Sequence, residues 1–382
     1  MKKSKVKGSE LPFLLRGGKS YVLSSLLCIL AGLLLGYIVL LIIDAKNAND
    51  AMLSILKNFF YFKKPRKIMY YLGSTLVKTT PLILCALAVI VAKKAGLFNI
   101  GVSGQYTAGA CAALWCALEW HLPWYICIPA AGIAGALYGM IIGLLKAYRN
   151  VNEVISGIML NWIGLYVANK ILSEQKSPDY NFTNYVDDIS PGSLLPNMGM
   201  DKLFGNNSFV GAGIIITVIA VIVITVIMNK TKLGYELQAT GYNRDAAFYC
   251  GMKEKHNITL TMAISGCIAG LGAGVIYLTD IEQWTVTASV VPSIGFDGIA
   301  AAFLGGLNPV GAIFSSYFIK HITLGGTYVN RTIFSTQTSD LITAVIVYFC
   351  AFAQFLRYAV TEHYRKKRLR QSEAEKCEGS VK

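Results

Sequence analysis

Long apolar runs alternate with short polar or basic stretches along almost the whole chain. Most runs approach the length of about 20 apolar residues with which a helix crosses about 30 Å of hydrocarbon. The pattern predicts an all-α fold, a polytopic transmembrane helical bundle of about ten spans. The predicted spans are 21–43, 70–92, 106–118, 124–147, 154–172, 209–228, 258–279, 289–304, 310–324 and 341–360. The third, eighth and ninth are short, which predicts re-entrant or broken-helix segments among them.

A polar loop, 99–105, interrupts the apolar pattern between the second and third spans; it reads Asn-Ile-Gly-Val-Ser-Gly-Gln. Hydrocarbon cannot hydrogen-bond irregular backbone, so such a loop lies at membrane depth only inside protein or beside a water-filled cavity. We therefore expect it to border a translocation path, with Asn99, Ser103 and Gln105 as candidate contacts for the cargo. The alternative is a tight turn whose two glycines let the neighbouring helices pack closely.

Composition and charge indicate a membrane protein with a defined orientation. Of the 382 residues 54% are hydrophobic and 15% are charged, whereas soluble domains average about 25% charged residues. The net charge of +14 is concentrated in segment 1–20, tail 361–382 and alternate loops, which the positive-inside rule assigns to the cytoplasm. We expect a multi-pass plasma-membrane protein with both termini cytoplasmic, and no nucleic-acid partner. Within the transmembrane domain 21–360, loop 229–257 is then cytoplasmic and the acidic loop 173–208 external.

One segment, 44–67, does not fit this charge distribution. It is expected outside, yet its second half carries Lys57, Lys63, Lys64, Arg66 and Lys67. Its apolar residues predict a short helix lying in the membrane interface; they are Ile55, Leu56, Phe59, Phe60 and Phe62.

The patterns of an enzyme or a metal site are missing from the sequence. The nine cysteines form no Cys-x-x-Cys pair and the four histidines are scattered, so no metal site is expected. The sequence has no Gly-x-x-x-x-Gly-Lys-[Ser/Thr] phosphate loop and no His-Glu-x-x-His or Gly-x-Ser-x-Gly motif. We expect no catalytic residue and no bound cofactor in this chain; any ATP must be hydrolysed by another polypeptide.

Loop 229–257 contains the signals of a short cytoplasmic helix. Asn243 is a good N-cap residue, Asp245 suits the first turn, and Gly251 can close the C-terminus. The residues between them, 246–249, are two alanines and two aromatics. Such a helix is suited to enter a groove of another protein; the alternative is a packed connector between two spans.

On the fifth span, Glu153, Gly157, Asn161 and Gly164 recur at intervals of four, four and three residues. This spacing places them on one helical face, where small residues and an amide indicate contact with protein or water rather than lipid. We expect Asn161 to border the path and Glu153 to be a structural or pore residue. In the alternative, Glu153 stabilises the first turn and Asn161 hydrogen-bonds a neighbouring helix.

Four stretches in chain order resemble one family. The pattern Gly-x-x-x-x-Ala-x-Gly-x-Asn-x-x-Ala-Ala-x-x-x-Gly at 234–251 resembles the coupling loop of ABC importer permeases of the branched-chain amino acid, ribose and nucleoside superfamily. Stretch 96–105 resembles the Gly-Leu-Phe-Asn-Ile-Gly signature of the nucleoside-type permeases, with Ser103 where that family usually has Glu. Stretch 152–161 is similar to their fifth-helix pattern, and 295–311 to their late Gly-Phe-Asp-Gly-Ile-Ala and Asn-Pro elements.

The resemblance is closest to the guanosine uptake permeases. It implies that this chain is a permease subunit and forms half of the path for nucleoside uptake. It implies four partners: a second homologous permease, an ABC ATPase that hydrolyses ATP, a substrate-binding lipoprotein of the basic membrane protein type, and the nucleoside itself. It also implies that loop 229–257 couples to the ATPase. The residues that match the coupling loop or lie within it are Gly241, Asn243, Arg244, Ala246, Ala247, Phe248 and Gly251.

The late elements add three candidates. Asp297 is a carboxylate between apolar runs, where charge is costly, and we expect it to cap a half-helix over 299–304. The neighbouring Phe296 is a candidate to stack on a nucleobase along the path. Asn308, in the Asn-Pro element, is a further structural or pore candidate.

Other functions stay open at this point. An ABC permease for a sugar such as ribose, or for another small polar solute, would share the coupling loop. An ion-coupled secondary transporter would share the composition and the broken helix, but it would not need the exposed cytoplasmic helix. An intramembrane enzyme would need the catalytic motifs that are missing.

Overall fold

The computed structural model describes residues 18–177 and 181–329, and beyond them only residues 341, 342, 344, 345, 348 and 362. These parts of the chain are almost entirely helical. β pairing within them is limited to two isolated bridges, Lys176 with Thr183 and Phe182 with Thr285. The helices are α1 (Gly18–Asp44), α2 (Ala48–Lys57), α3 (Pro65–Lys94), α4 (Val102–Leu118), α5 (Trp124–Arg149), α6 (Glu153–Leu172), α7 (Val186–Ile189), α8 (Ala212–Lys230), α9 (Lys232–Tyr242), α10 (Arg244–Tyr249), α11 (Glu254–Tyr277), α12 (Ile294–Leu304) and α13 (Pro309–Gly325).

The first nine predicted spans each coincide with a helix, namely α1, α3, α4, α5, α6, α8, α11, α12 and α13. Three quarters of the tenth, 341–360, lies outside the described residues. Helices long and apolar enough to cross a membrane are Pro65–Lys94, Trp124–Arg149, Glu153–Gln175, Ala212–Lys230 and Glu254–Tyr277. The prediction of a helical membrane bundle is therefore confirmed, while the count of about ten spans is not.

Three short helices, α4, α12 and α13, account for part of the difference. α12 has 11 residues, which at 1.5 Å per residue reach about 16 Å, half of the hydrocarbon thickness. The residues 289–293 before it are not helical. The eighth predicted span is therefore a half-helix preceded by irregular chain, as the short apolar run indicated.

The centre of the bundle is formed by α3 and α11. Every residue of α3 from 79 to 92 is buried. The backbones of α11 and α5 lie in close contact. A Cβ added at Gly135 would lie 2.2 Å from the Gly266 carbonyl oxygen, and one added at Gly270 would lie 2.2 Å from the Ala131 carbonyl oxygen. Stripes of small residues on both helices permit this close approach.

The loops gather at two ends of the bundle. At the α9 end, the ammonium of Lys94 donates to Asn229 Oδ1 at 3.4 Å, and that of Lys255 lies 5.5 Å from the ring centre of Tyr148. These contacts bring the C-termini of α3 and α5 beside the segment that holds α9 and α10. The sequence-based grouping of these basic loops is thereby confirmed.

The opposite end, the α7 end, contains the acidic loop 173–208 and the basic segment 44–67. Asn207 Nδ2 in that loop donates to the carbonyl oxygen of Tyr70 at 2.8 Å, near the start of α3. The short helix predicted within 44–67 is present as α2. The side of the membrane that each end faces stays a prediction.

Candidate functional site

The polar stretch 99–105 lies inside protein, as its sequence predicted, but only residues 99–101 are irregular, because residues 102–105 form the first turn of α4. Asn99, Ser103 and Gln105 are all buried. Asn99 Nδ2 donates to Gln105 Oε1 at 2.8 Å and to Ser265 Oγ at 2.7 Å, and Ser265 Oγ donates to the Ala88 carbonyl at 2.7 Å. The loop is therefore hydrogen-bonded directly to α11 and, through Ser265, indirectly to α3.

The loop lies deep in the bundle. Ser265 follows the first residue of α11, Glu254, by about 16 Å at 1.5 Å per residue. Irregular backbone at such depth requires partners inside the protein, and the side chains around the loop provide them. Contact of Asn99 and Gln105 with cargo stays a prediction, because in this conformation the two amides are bonded to each other.

Asn161 of α6 joins its helix to the start of α4. Its Oδ1 accepts from the Gly104 N–H at 2.7 Å, and its Nδ2 donates to the Ile100 carbonyl at 3.0 Å. Gly157, one turn earlier, leaves room for Gly101, since a Cβ added there would lie 2.9 Å from the Gly101 nitrogen. The predicted polar face of α6 therefore meets protein, and Asn161 makes the hydrogen bonds of the alternative; a role of Asn161 along the path stays a prediction.

Ser103 joins α4 to the chain before α12. Its Oγ donates to the Pro292 carbonyl at 3.0 Å. A Cβ added at Gly295 would lie 2.2 Å from that same Oγ. Ser103 is thus enclosed by the segment 292–295.

Glu153 pairs with a cation of α5 instead of capping its own helix. Its carboxylate lies 2.8 Å from the ammonium of Lys146, and both side chains are largely buried. The N-cap is Asn152, whose Oδ1 accepts from the Val154 N–H at 2.8 Å. This ion pair ties the start of α6 to the last turns of α5 at the α9 end.

The prediction that Asp297 caps a half-helix over 299–304 is wrong. α12 already begins at Ile294, so Asp297 lies inside its first turn, where its N–H donates to the Ser293 carbonyl at 2.9 Å. Gly295, the second residue of this helix, packs against Ser103 of α4. Phe296, next to it, is 46% exposed.

Asn308 is the N-cap of α13. Its Oδ1 accepts from the Val310 N–H at 2.9 Å, and Pro309 occupies the first helical position, where a residue without an N–H is tolerated. The Asn-Pro element therefore has a clear structural role as a helix start.

The short helix predicted in loop 229–257 is present as α10. Asn243 Oδ1 accepts from the Ala246 N–H at 3.0 Å, which is the expected N-cap. Gly251 closes the helix with φ +80°, a left-handed conformation that glycine adopts without strain. Both predicted ends of the helix are confirmed.

α10 turns one side to the bundle and the other to solvent. Ala247 is buried, whereas Ala246 is exposed; Phe248 and Tyr249 are 62% and 87% exposed. Gly241 packs on the turn after α3, since a Cβ there would lie 2.3 Å from the carbonyl carbon of Ala95. Arg244 is half-buried. The predicted coupling residues thus divide into an exposed set and an anchoring set.

Two hydrogen-bonding residues of the site were not predicted. Ser265 lies within an apolar run of α11 and joins the polar loop to α3. Tyr138 of α5 donates its hydroxyl proton to the Leu160 carbonyl at 2.6 Å. A polar group within an apolar span was the available signal for both. Among the described residues, no group of three or more His, Cys, Asp or Glu side chains could hold a metal ion.

The helical bundle and the exposed helix α10 fit a family of transport proteins. A comparison with known protein families identifies that family. The family described as branched-chain amino acid transport system / permease component matches residues 71–351. The chain belongs to this permease family. No solved structure matches it significantly.

Curated relatives cover most of the chain. It is 34% identical to the guanosine ABC transporter permease protein NupP of Bacillus subtilis, over 91% of this chain and 98% of that protein. It is 34% identical to the nucleoside ABC transporter permease protein NupB of Lactococcus lactis, over 94% and 97%. It is 32% identical to the glucose ABC transporter permease protein TsgB13 of Haloferax volcanii, over 76% and 78%.

Proposed function

We propose that this chain is the transmembrane permease subunit of an ABC importer and forms half of the path for nucleoside uptake. The observation that carries the proposal is the likeness, over more than nine-tenths of the chain, to two permeases whose names specify guanosine or nucleosides. Membership of an ABC-type permease family also disfavours the ion-coupled secondary transporter.

The assembly we propose contains four kinds of protein or ligand besides this chain. A second homologous permease completes the path, and a separate ABC ATPase hydrolyses the ATP. A substrate-binding lipoprotein of the basic membrane protein type delivers the nucleoside. The complex lies in the plasma membrane with the α9 end and both termini in the cytoplasm, where the ATPase has access to ATP.

The exposed side of α10 supports the assignment of the ATPase contact. A six-residue helix between two larger helices presents Ala246, Phe248 and Tyr249 to solvent, and small and aromatic side chains of this kind suit a groove on a partner. Anchoring by Gly241 and Ala247 holds the helix against the bundle, so that a movement of the ATPase reaches the turn after α3.

The turn after α3 leads directly into the polar loop, which supports a route from the ATPase to the path. Gly96, with φ +74°, lies against Gly241, and a Cβ added at Gly96 would lie 2.6 Å from the Gly241 carbonyl oxygen. Three residues later the chain reaches Asn99. In our proposal, opening of the path separates the Asn99, Ser103, Gln105 and Asn161 contacts and exposes these groups to cargo, while Phe296 stacks on the base.

The variant Ala246→Arg tests the coupling helix. We expect it to abolish ATP-driven uptake, because a long cation cannot enter a groove shaped for alanine, while the amount of folded protein in the membrane stays unchanged. Lys232→Gln, at a 91% exposed side chain of α9, is the matched control and should transport normally. Full transport by the Ala246→Arg variant would rule out the proposed ATPase contact.

A sugar is the second candidate cargo, favoured by the likeness to the glucose permease TsgB13. Competition separates the two. In cells that express this chain with its partners, we expect excess unlabelled nucleosides to suppress uptake of labelled guanosine, and excess ribose or glucose to leave it unchanged. Suppression by the sugars with no effect of the nucleosides would assign the permease to sugars.

A further inference from the structure

The basic segment at the α7 end carries five cations within eleven positions: Lys57, Lys63, Lys64, Arg66 and Lys67. All five are exposed, and the sequence has no acidic residue between Asp50 and the end of this segment. None of the ion pairs found among the described residues involves any of them. Within the part of the chain that the structure describes, these five cations have no ion-pair partner and are accessible to an anionic ligand.

Exposed apolar side chains occupy the same short segment. Leu53 and Leu56 of α2 and Phe60 and Tyr61 after it are each at least 43% exposed, Phe60 reaching 63%. Cations beside exposed aliphatic and aromatic side chains are typical of helices that lie at the boundary between head groups and acyl chains. A partner that offers negative charge and hydrocarbon together fits this surface best.

The segment is held firmly, so the cations project from a fixed backbone. Asn58, with φ +44°, donates from Nδ2 to the His321 carbonyl at 3.1 Å. The His321 ring in turn contacts the Leu56 carbonyl oxygen, with Nε2 at 2.9 Å. The Phe62 ring stacks on Tyr71 with 4.2 Å between centres. These contacts attach the segment to α13 and α3.

We propose that residues 53–67 form a binding surface for anionic phospholipid in the leaflet at the α7 end. The ammonium and guanidinium groups bind the head-group phosphates, while Leu53, Leu56 and Phe60 lie among the outer methylenes of the acyl chains. Basic segments gain affinity for anionic membranes in this way. The proposal goes beyond transport and does not depend on the identity of the cargo.

This assignment also explains the charge that the orientation rule leaves unexplained. If the α7 end faces outward, the five cations there are an exception to the positive-inside rule. That rule describes how a chain inserts into the membrane and does not assign a binding function to its cations. Binding of lipid phosphate gives these residues a role of their own. Their exposure, with Arg66 making one hydrogen bond from Nε to the Gly205 carbonyl at 3.3 Å, is consistent with this role.

Photo-crosslinking of lipids tests the proposal on the full chain. Purified protein is reconstituted in phosphatidylcholine vesicles that carry a trace of photoactivatable phosphatidylglycerol or, in a matched sample, photoactivatable phosphatidylcholine. Labelled peptides are quantified by mass spectrometry. We expect peptides from 53–67 to be labelled at least about fivefold more by the anionic probe, the preference that one cation at the membrane surface provides, and the excess to shrink at high salt.

Two variants show whether the positive charge causes the preference for the anionic probe. Replacing all five cations by Gln should abolish the excess, whereas Lys57→Arg, Lys63→Arg, Lys64→Arg and Lys67→Arg together should retain it. All these positions are exposed, so gel filtration should show the same folded protein. Equal labelling of 53–67 by the two probes in the wild type overturns the proposal and leaves an acidic protein as the partner of these cations. An excess that survives in the Gln variant also overturns it.

Discussion

Buried amide groups connect the elements of the candidate site. Asn161 satisfies a donor and an acceptor of the backbone at the start of α4, while Asn99 bonds to Gln105 and Ser265. A buried polar group that loses its partner costs about 1–3 kcal/mol. These contacts therefore explain how four polar side chains are accommodated deep in an apolar bundle, and why opening the loop requires replacement partners such as water or a polar cargo.

Asn161→Leu measures the strength of this connection. The substitution leaves the Gly104 N–H and the Ile100 carbonyl unpaired, so we expect a loss of roughly 2–4 kcal/mol in the free energy of unfolding. Denaturant titration in detergent, followed by circular dichroism, is the measurement. Ile163→Leu, at an exposed neighbouring position, serves as the control and should change little. Equal stability of both variants would contradict the structural role of Asn161.

The sequence predicted part of this site. The spacing on α6 indicated that Asn161 meets protein, and the polar loop indicated burial inside the bundle, because both follow from the absence of hydrogen-bonding groups in lipid. The pairing of Asn99 with Ser265 could not be predicted, since the two residues are 166 positions apart. Local sequence cannot specify which distant helix provides a partner.

At the scale of elements, capping residues predicted both ends of α10 correctly but misplaced the start of α12. Asn243 and Gly251 defined α10 because N-cap and C-terminal signals act within one turn. For α12, Asp297 predicted a start that is several residues too late; the helix begins at Ile294, and its Gly295 packs against Ser103 of α4. Element boundaries that depend on packing are the ones that sequence cannot provide.

Asp280 stabilises the start of α7 through two hydrogen bonds. Its Oδ1 accepts from the Val186 N–H at 2.9 Å and its Oδ2 from the Asp187 N–H at 2.7 Å, which secures the start of α7. Burial raises the pKa of the Asp280 carboxyl above its ordinary value of 3.8, although the two N–H donors act in the opposite direction. The folded protein thus binds this proton more tightly than the unfolded chain does, and stability from this group falls as the pH rises between the two pKa values.

Asp280→Asn removes this pH dependence. We expect the thermal stability of the variant, relative to wild type, to be higher near neutral pH than near about pH 4, because a larger fraction of the wild-type carboxyl is charged at the higher pH. Asparagine also tolerates the φ of +56° at this position. Asp280→Ala, which removes both acceptors, should be less stable at either pH. A relative stability of the Asn variant that does not change with pH would refute the raised pKa.

For the whole molecule, the sequence was sufficient for nine helices, for the grouping of loops at two ends and for the family. The membrane sets the length of the helices that span it and biases the side on which cations lie. Long apolar runs and clustered cations in the sequence therefore carry this information. The pairing of α5 with α11 through Gly135, Gly139, Gly266 and Gly270 was accessible only in the structure. Stripes of small residues indicate close packing, but they do not name the partner helix.

The central claim, ATP-driven nucleoside uptake through this chain, is tested most directly by uptake of radiolabelled guanosine. The measurement compares cells with and without the gene, before and after depletion of ATP. We predict uptake that requires both the gene and ATP. Gene-dependent uptake that persists without ATP and collapses with the ion gradient would contradict the claim in favour of a secondary transporter; guanosine uptake that does not depend on the gene at all would contradict the assignment to this nucleoside.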